Sequence, residues 1–143
     1  MRIYTLLGSL ALLSLTLLQA TDPQAIKPPR HAMDYYAFSQ TLSGDPKQDM
    51  PRIAGLIARN LSACYVRAHT LAGNAQESLK RVKMGCEIEA YNMANVPIHR
   101  HYAMRGELLE HDEIQARKEQ FFTKYKAHIY ESANELTELE LGL

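Results

Sequence analysis

Apolar residues recur at intervals of three and four along two consecutive stretches between residues 49 and 95. At ~100° per residue, each set occupies one face of an α-helix. The pattern predicts a helical hairpin over residues 49–95 in which the two apolar faces meet. The first face carries Ile53, Leu56, Ile57, Leu61, Cys64, Ala68 and Leu71, and the second carries Ala75, Leu79, Val82, Cys86, Ala90 and Met93.

The turn of this hairpin is marked by Gly73 and Asn74. Glycine favours the left-handed position that ends a helix. Asn74, followed three residues later by Glu77, forms a variant of the capping box that begins the next helix. At the start of the hairpin, Asp49 and Pro51 predict a cap and an early-turn proline.

The two cysteines of the protein, Cys64 and Cys86, lie on opposite helices of the predicted hairpin. Their midpoint falls at Ala75, beside the turn, and residues equidistant from the turn of an antiparallel pair lie side by side. The register therefore predicts a Cys64–Cys86 disulfide, which stabilises the fold by roughly 3 kcal/mol in the chain-entropy model. The alternative is two unpaired cysteines that serve as small buried apolar residues.

Residues 1–20 have the three parts of a secretory signal peptide. Arg2 supplies a short basic start, Leu6 to Leu18 form an apolar run, and Ala20 is a small residue at a cleavage position. The run is too short for a typical membrane span of ~20 apolar residues, although an uncleaved N-terminal anchor is the alternative. Because disulfides persist in oxidising compartments, these features predict a periplasmic or extracellular protein with no membrane span after cleavage.

The remaining sequence predicts a flexible, proline-rich leader over residues 21–29 and a single helical domain over residues 30–143. A short helix spans about residues 30–42, a weaker helical segment follows Pro97, and a long helix begins near Asp112. With the hairpin, these segments predict an all-α fold. We expect a small bundle of about four helices built on a disulfide-linked helical hairpin.

Asn60 lies near the centre of the apolar face of the first hairpin helix, within the N-glycosylation pattern Asn60-Leu61-Ser62. A glycan at this position would block the packing of the two helices. We therefore predict that Asn60 is a buried polar residue, hydrogen-bonded across the interface.

Candidate chemistry is sparse. The six histidines form no His-Glu-x-x-His or Glu-x-x-His motif, and His99 and His101 point ~200° apart if they lie on a helix. Gly-x-Ser-x-Gly and glycine-rich phosphate loops are also missing, and paired cysteines leave no thiolate nucleophile. We therefore predict no metal, no cofactor and no enzymatic activity.

Charge is balanced, with 16 basic and 16 acidic residues, so the composition does not favour nucleic-acid binding. Two surfaces are candidates for binding a partner, because aromatic and basic side chains often anchor interfaces. The aromatic candidates are Tyr35, Tyr36 and Phe38, and the basic candidates are Lys80, Arg81 and Lys83. The plainer interpretations are a helix docked on the hairpin through its rings and a solvated charged face.

These observations favour a non-enzymatic, exported protein that acts by protein–protein interaction, as inhibitors, immunity proteins, chaperones and secretion-accessory proteins do. Its partner is a protein, and a second copy of the chain is one candidate. The alternative is a small-ligand or cofactor carrier that uses the interior of the helical bundle. A carrier needs a cavity with a few convergent polar groups, whereas a binding protein needs a filled core and an exposed patch.

The exported protein is expected to begin at Thr21, because Ala20 is the small residue that follows the apolar run. N-terminal sequencing of the protein recovered from outside the cytoplasm checks this expectation. A mature protein that retains Leu6 to Leu18 would contradict cleavage and favour the anchor.

Overall fold

The computed structural model describes residues 33–143 and contains helices but no strand within that range. Four helices of ten residues or more form an all-α bundle, which confirms the predicted fold class. The predicted signal peptide and leader lie outside the described residues. The helices are α1 (Tyr35–Ser39), α2 (Pro46–Ala72), α3 (Gln76–Met93), α4 (Asn95–Met104) and α5 (His111–Leu141).

The first helix is much shorter than the sequence predicts. It begins at Asp34, whose side chain accepts hydrogen bonds from the backbone N–H groups of Tyr36 and Ala37. It ends after little more than one turn. The Asp45–Pro46 pair begins α2. The Asp45 side chain accepts a hydrogen bond from the backbone N–H of Lys47 at 2.9 Å, and Pro46 occupies the first helical position.

The α2–α3 hairpin has the predicted disulfide. Cys64 and Cys86 are joined with their Cα atoms 5.7 Å apart, which confirms the register read from the turn. At the next residue of each helix, the Tyr65 hydroxyl donates to Glu87 Oε1 at 2.9 Å. Burial, followed by this hydrogen bond to Glu87, raises the pKa of Tyr65. The hairpin is therefore held by a covalent and a polar link from neighbouring positions on the same pair of helices.

The predicted ends of the hairpin helices need correction. Gly73 has a positive φ of 55°, as expected for a residue that ends a helix. However, α3 begins one residue later than predicted, so Ala75 rather than Asn74 occupies the cap position and no side chain caps the helix. At the far end, Ala94 keeps helical dihedrals between α3 and α4, and Pro97 lies in the first turn of α4, where a missing N–H costs little.

Helix α2 is the central element of the bundle, since α3 and α5 both pack along it. Its fully buried apolar residues include Ile53, Leu56, Ile57 and Leu61. A second stripe of small residues, Ala54, Ala58 and Ser62, reaches α5 through a 3.1 Å hydrogen bond between the Ser62 and Thr137 hydroxyls. Small residues let two helices approach closely, which explains the extensive α2–α5 contact.

Asn60 is a buried polar residue on α2, as predicted, but its partner is not the second hairpin helix. Its side-chain oxygen accepts from the backbone N–H of Met33 at 2.7 Å, and its amide donates to the Met33 carbonyl at 2.9 Å. The Asn60 side chain thus uses both its acceptor and its donor on the backbone of one residue, as a neighbouring β-strand would. It fixes the chain that leads into α1 against the hairpin.

Asp49 does not cap α2 as predicted, because its carboxylate serves a buried network. Oδ1 accepts from the backbone N–H and hydroxyl of Ser43, at 2.9 and 3.0 Å, and Oδ2 accepts from the backbone N–H of Gly44 at 2.7 Å. His101 Nδ1 on α4 lies 2.7 Å from Oδ2, and both side chains are almost fully buried. One carboxylate thus joins the α1–α2 loop, α2 and α4.

The environment of Asp49 keeps it ionised. Burial alone raises its pKa, but the hydrogen bonds from the Ser43 backbone, His101, the Gly44 backbone and the Ser43 hydroxyl together outweigh burial. The net result is a pKa below the ordinary value of 3.8. Hydrogen bonds to the charged form of a carboxylate have this effect because they are lost when it is protonated.

Removing the disulfide should lower the free energy of unfolding by roughly 2–5 kcal/mol, since the bridge restricts the unfolded chain. The Cys64→Ser, Cys86→Ser double variant, compared with wild type by urea denaturation, measures this loss. Intact masses before and after reduction should differ by two hydrogens per monomer. A disulfide-linked dimer in the wild type would contradict the intramolecular pairing.

Replacing Asp49 by Asn should destabilise the protein by roughly 3–5 kcal/mol, because it leaves buried donors without their acceptor. A carboxyl group with a lowered pKa in the folded state stabilises the fold above its unfolded pKa and loses that contribution as pH falls through its folded pKa. Wild-type stability should therefore fall below about pH 4 more steeply than that of Asp49→Asn. Urea denaturation between pH 2 and 7 compares them, and parallel curves would exclude this role for Asp49.

Candidate functional site

The three aromatic candidates do not form one surface. Phe38 is only 9% exposed and belongs to the hydrophobic core, and Tyr35 packs partly against that core. Burial raises the pKa of Tyr35. Tyr36 is 66% exposed and is the only one of the three available to a partner. Phe38 and Tyr35 therefore dock α1 on the rest of the bundle, which is the plainer interpretation of these rings.

The basic candidates separate in the same way. Lys80 and Arg81 are exposed near the start of α3. Lys83 is half-buried, and its ammonium lies 4.4 Å from the centre of the Tyr65 ring, in a cation–π contact within the hairpin. Tyr36 belongs to α1, which packs mainly on α4. The structure therefore does not bring the aromatic and basic candidates together in one site.

A groove between α3 and α5 exposes apolar and aromatic side chains. Both helices pack extensively on α2 but scarcely contact each other. The resulting cavity of about 310 Å³ continues into a shallower depression along α5. We call it the α3–α5 groove, and its lining residues are Met84, Glu87, Ile88, Tyr91, Phe122, Lys126 and Tyr130.

The side chains of this groove are arranged as two helical stripes. Met84 and Ile88, one turn apart on α3, are 51% and 61% exposed. At one end the Tyr91 and Phe122 rings approach to 4.9 Å and bring the two helices together. The lining of the groove extends from these rings to Met84 on α3, and Lys80 and Arg81 lie one turn earlier on the same helix. An apolar floor with a basic end follows from this order.

Lys118 is buried against Tyr91, at the end of the groove where the Tyr91 and Phe122 rings meet. It is only 2% exposed, and its ammonium lies 3.9 Å from the centre of the Tyr91 ring. Burial lowers the pKa of Lys118, with the charge of Glu119 acting in the opposite direction. The ring face offers the ammonium an electrostatic partner inside the fold, so Lys118 positions Tyr91 rather than presenting a free amine.

A second cavity, of about 540 Å³, lies among α1, α4 and the start of α5. None of its lining residues is acidic. We call it the α1–α4–α5 cleft, and it is lined by Tyr36, Ser39, Gln40, Asn95, Val96, His99, Arg100, Leu109, His111 and Ile114. Two buried polar atoms of these lining residues, Asn95 Oδ1 and Arg100 Nε, have no hydrogen-bond partner within residues 33–143.

Other chemistry is limited in the part of the chain that the structure describes. No three His, Cys, Asp or Glu side chains among residues 33–143 are grouped so that they could hold a metal ion. None of the helices in this range has the length and apolar character needed to cross a membrane. The absence of metal, cofactor and enzymatic activity remains a prediction.

Sequence reasoning identified the buried stripe of α3 but missed the exposed one. Met84, Ile88 and Tyr91 recur at intervals of four and three, which is the same helical signal as that of the buried face. A helix with two apolar stripes is therefore the feature that could have indicated the groove. No comparable signal indicates the cleft, because its lining residues come from three helices and a loop.

Comparisons of the chain with protein-family models, with curated proteins and with solved structures give no match. The class of the protein therefore follows from its own fold and surfaces. It is an all-α bundle built on a disulfide-linked helical hairpin, with an apolar groove between α3 and α5 and a cleft of mixed lining among α1, α4 and α5.

Proposed function

We propose that the protein is an exported, non-enzymatic binding protein that holds an amphipathic helix of a partner protein in the α3–α5 groove. The observation that carries the proposal is the exposed apolar stripe of α3 facing aromatic residues of α5 across a gap that neither helix fills. An exposed apolar patch with a polar rim is typical of a protein-binding surface. Inhibitors, immunity proteins, chaperones and secretion-accessory proteins work through such surfaces.

The shape of the groove favours a helix over other occupants. The groove of about 310 Å³ can take the side chains of a helix that lies along α3 and α5. An amphipathic helix docks in such a groove through anchors spaced by three, four and seven residues. Ile88, Phe122 and Tyr130 offer apolar and aromatic surfaces for anchors of this kind.

Charge indicates the orientation of the partner helix. Lys80 and Arg81 lie one turn before Met84 on α3, and Lys126 lines the groove. Glu87 also lines it, but this carboxylate accepts from Tyr65, and Glu119 lines the adjoining depression along α5. We therefore expect a partner helix with acidic residues where it passes Lys80 and Arg81, since complementary charge fixes register and speeds encounter.

The compartment is part of the same proposal. A Cys64–Cys86 disulfide fits an oxidising compartment, and the first 20 residues read as a cleaved signal peptide. We place the protein in the periplasm or outside the cell. A crosslinked hairpin suits a binding surface that must persist in a space where proteases are active.

Replacing Ile88 by Glu should abolish partner binding, because it places a charge on the apolar floor of the groove. Ile88 is 61% exposed, so the variant should fold normally. The expected loss of affinity is at least tenfold, or about 1.4 kcal/mol. The measurement is co-purification from the exported fraction of the native host, paired with photo-crosslinking from a benzoylphenylalanine placed at Met84.

The matched control is Leu71→Glu, which adds the same charge at a leucine that is 78% exposed and lies outside the groove. The proposal requires one protein that crosslinks at Met84, is retained by Leu71→Glu and is lost by Ile88→Glu. A crosslink to a second copy of this chain would contradict a different protein as the partner and would indicate a homodimer. Equal retention by both variants, or no crosslink at Met84, would reject the groove as the binding site.

A further inference from the structure

We infer that the α1–α4–α5 cleft binds a small organic carboxylate, with Arg100 as its charge partner. This site is separate from the α3–α5 groove and would serve a different ligand. It also differs from a carrier cavity in the bundle interior, because the cleft lies at the surface between helix ends. The cavity of about 540 Å³ falls within the range of roughly 300–1,000 Å³ that is typical of small-molecule sites.

The unpaired polar atoms of the cleft lining are the first argument. Arg100 Nε is a buried N–H donor and Asn95 Oδ1 is a buried acceptor, and neither has a hydrogen-bond partner among residues 33–143. An unsatisfied buried polar group costs about 1–3 kcal/mol. Both atoms are closed to solvent, so a ligand in the cleft would pair with the outer nitrogens of the Arg100 guanidinium, which also have no acceptor among the described residues.

The charge of the cleft is the second argument. Arg100 forms no salt bridge among residues 33–143, whereas the nearby Arg105 is paired with Glu107 at 3.1 Å. No carboxylate lines the cleft, while His99 and His111 do. Near the start of α5, Glu110 and Glu113 are engaged in a reciprocal capping box, and Asp112 is exposed outside the lining of the cleft. Arg100 is therefore the permanently charged residue among those that line the cavity.

The rest of the lining indicates the body of the ligand. Val96, Leu109 and Ile114 supply apolar surface, and the exposed ring of Tyr36 stands at the edge. A single guanidinium balances one negative charge and pairs with the planar geometry of a carboxylate. These features favour a monoanion with a compact apolar or aromatic body over a free inorganic anion.

The test is a ¹H–¹⁵N NMR titration of the full-length mature protein with 4-hydroxyphenylacetate, which carries a carboxylate, a ring and a hydroxyl. Shift changes should concentrate at residues 95–100 and 109–114. The neutral 4-hydroxyphenylacetamide should bind at least tenfold more weakly, because it lacks the charge. Inorganic phosphate should not compete at equal concentration, because it lacks the apolar body.

Variants make the assignment specific. Arg100→Gln should weaken 4-hydroxyphenylacetate binding at least tenfold, and Arg100→Lys should weaken it less, since it keeps the charge without the planar fork. Arg67→Gln, which removes the same charge from an exposed position on α2 outside the cleft, should bind like wild type. If Arg100→Gln does not fold, the amide comparison and Arg100→Lys still decide the matter. No binding at millimolar acid, equal binding of the amide, equal competition by phosphate, or undiminished binding by Arg100→Gln would overturn the inference.

Discussion

The carboxylate of Asp49 is the interaction on which the arrangement of helices most depends. It accepts hydrogen bonds from Ser43, Gly44 and His101 within a buried site. A buried charge is tolerable only when its partners are in place, so the α1–α2 loop and α4 must meet α2 at this one point. Their positions relative to the central helix are thereby fixed at its N-terminal end.

The disulfide fixes the other half of the same helix. Cys64, four turns along α2 from Asp49, ties it to α3. With α2 held at both points, α3 and α5 are each positioned mainly by their packing on α2, and they meet each other at Tyr91, which contacts Phe122 and Lys118. The α3–α5 groove is a direct consequence of this arrangement, because two helices that share one support need not close the gap between them.

How much of this could be predicted depends on whether the signal is local. The Cys64–Cys86 pairing follows from a turn at Gly73 and from apolar faces of the two helices, all within one continuous stretch, and it was predicted correctly. The role of Asp49 was not, because its partner His101 is 52 residues away and an aspartate near a proline also resembles a helix cap. The pattern of residues within one stretch of sequence carries no information about a hydrogen bond to a residue so far away along the chain.

The candidate site was predicted less well than the fold, for a related reason. Composition marked Tyr35, Tyr36 and Phe38 as one aromatic group, but burial divides them, because a short helix docked on a core turns some of its residues inward. Neighbouring residues in sequence point in different directions on a helix. Which direction faces solvent depends on packing partners elsewhere in the chain, and these become visible only in the structure.

The central claim is that the apolar stripe of α3 stays open to solvent in the isolated protein. Solvent paramagnetic relaxation enhancement of side-chain methyl groups, measured with a soluble gadolinium chelate, tests it most directly. The account predicts strong enhancement at the Met84 and Ile88 methyls and little at those of Ile57 and Ile129. Enhancement at Met84 and Ile88 as weak as that at Ile57 would contradict it, because the groove would then be filled by the chain itself or by a second copy.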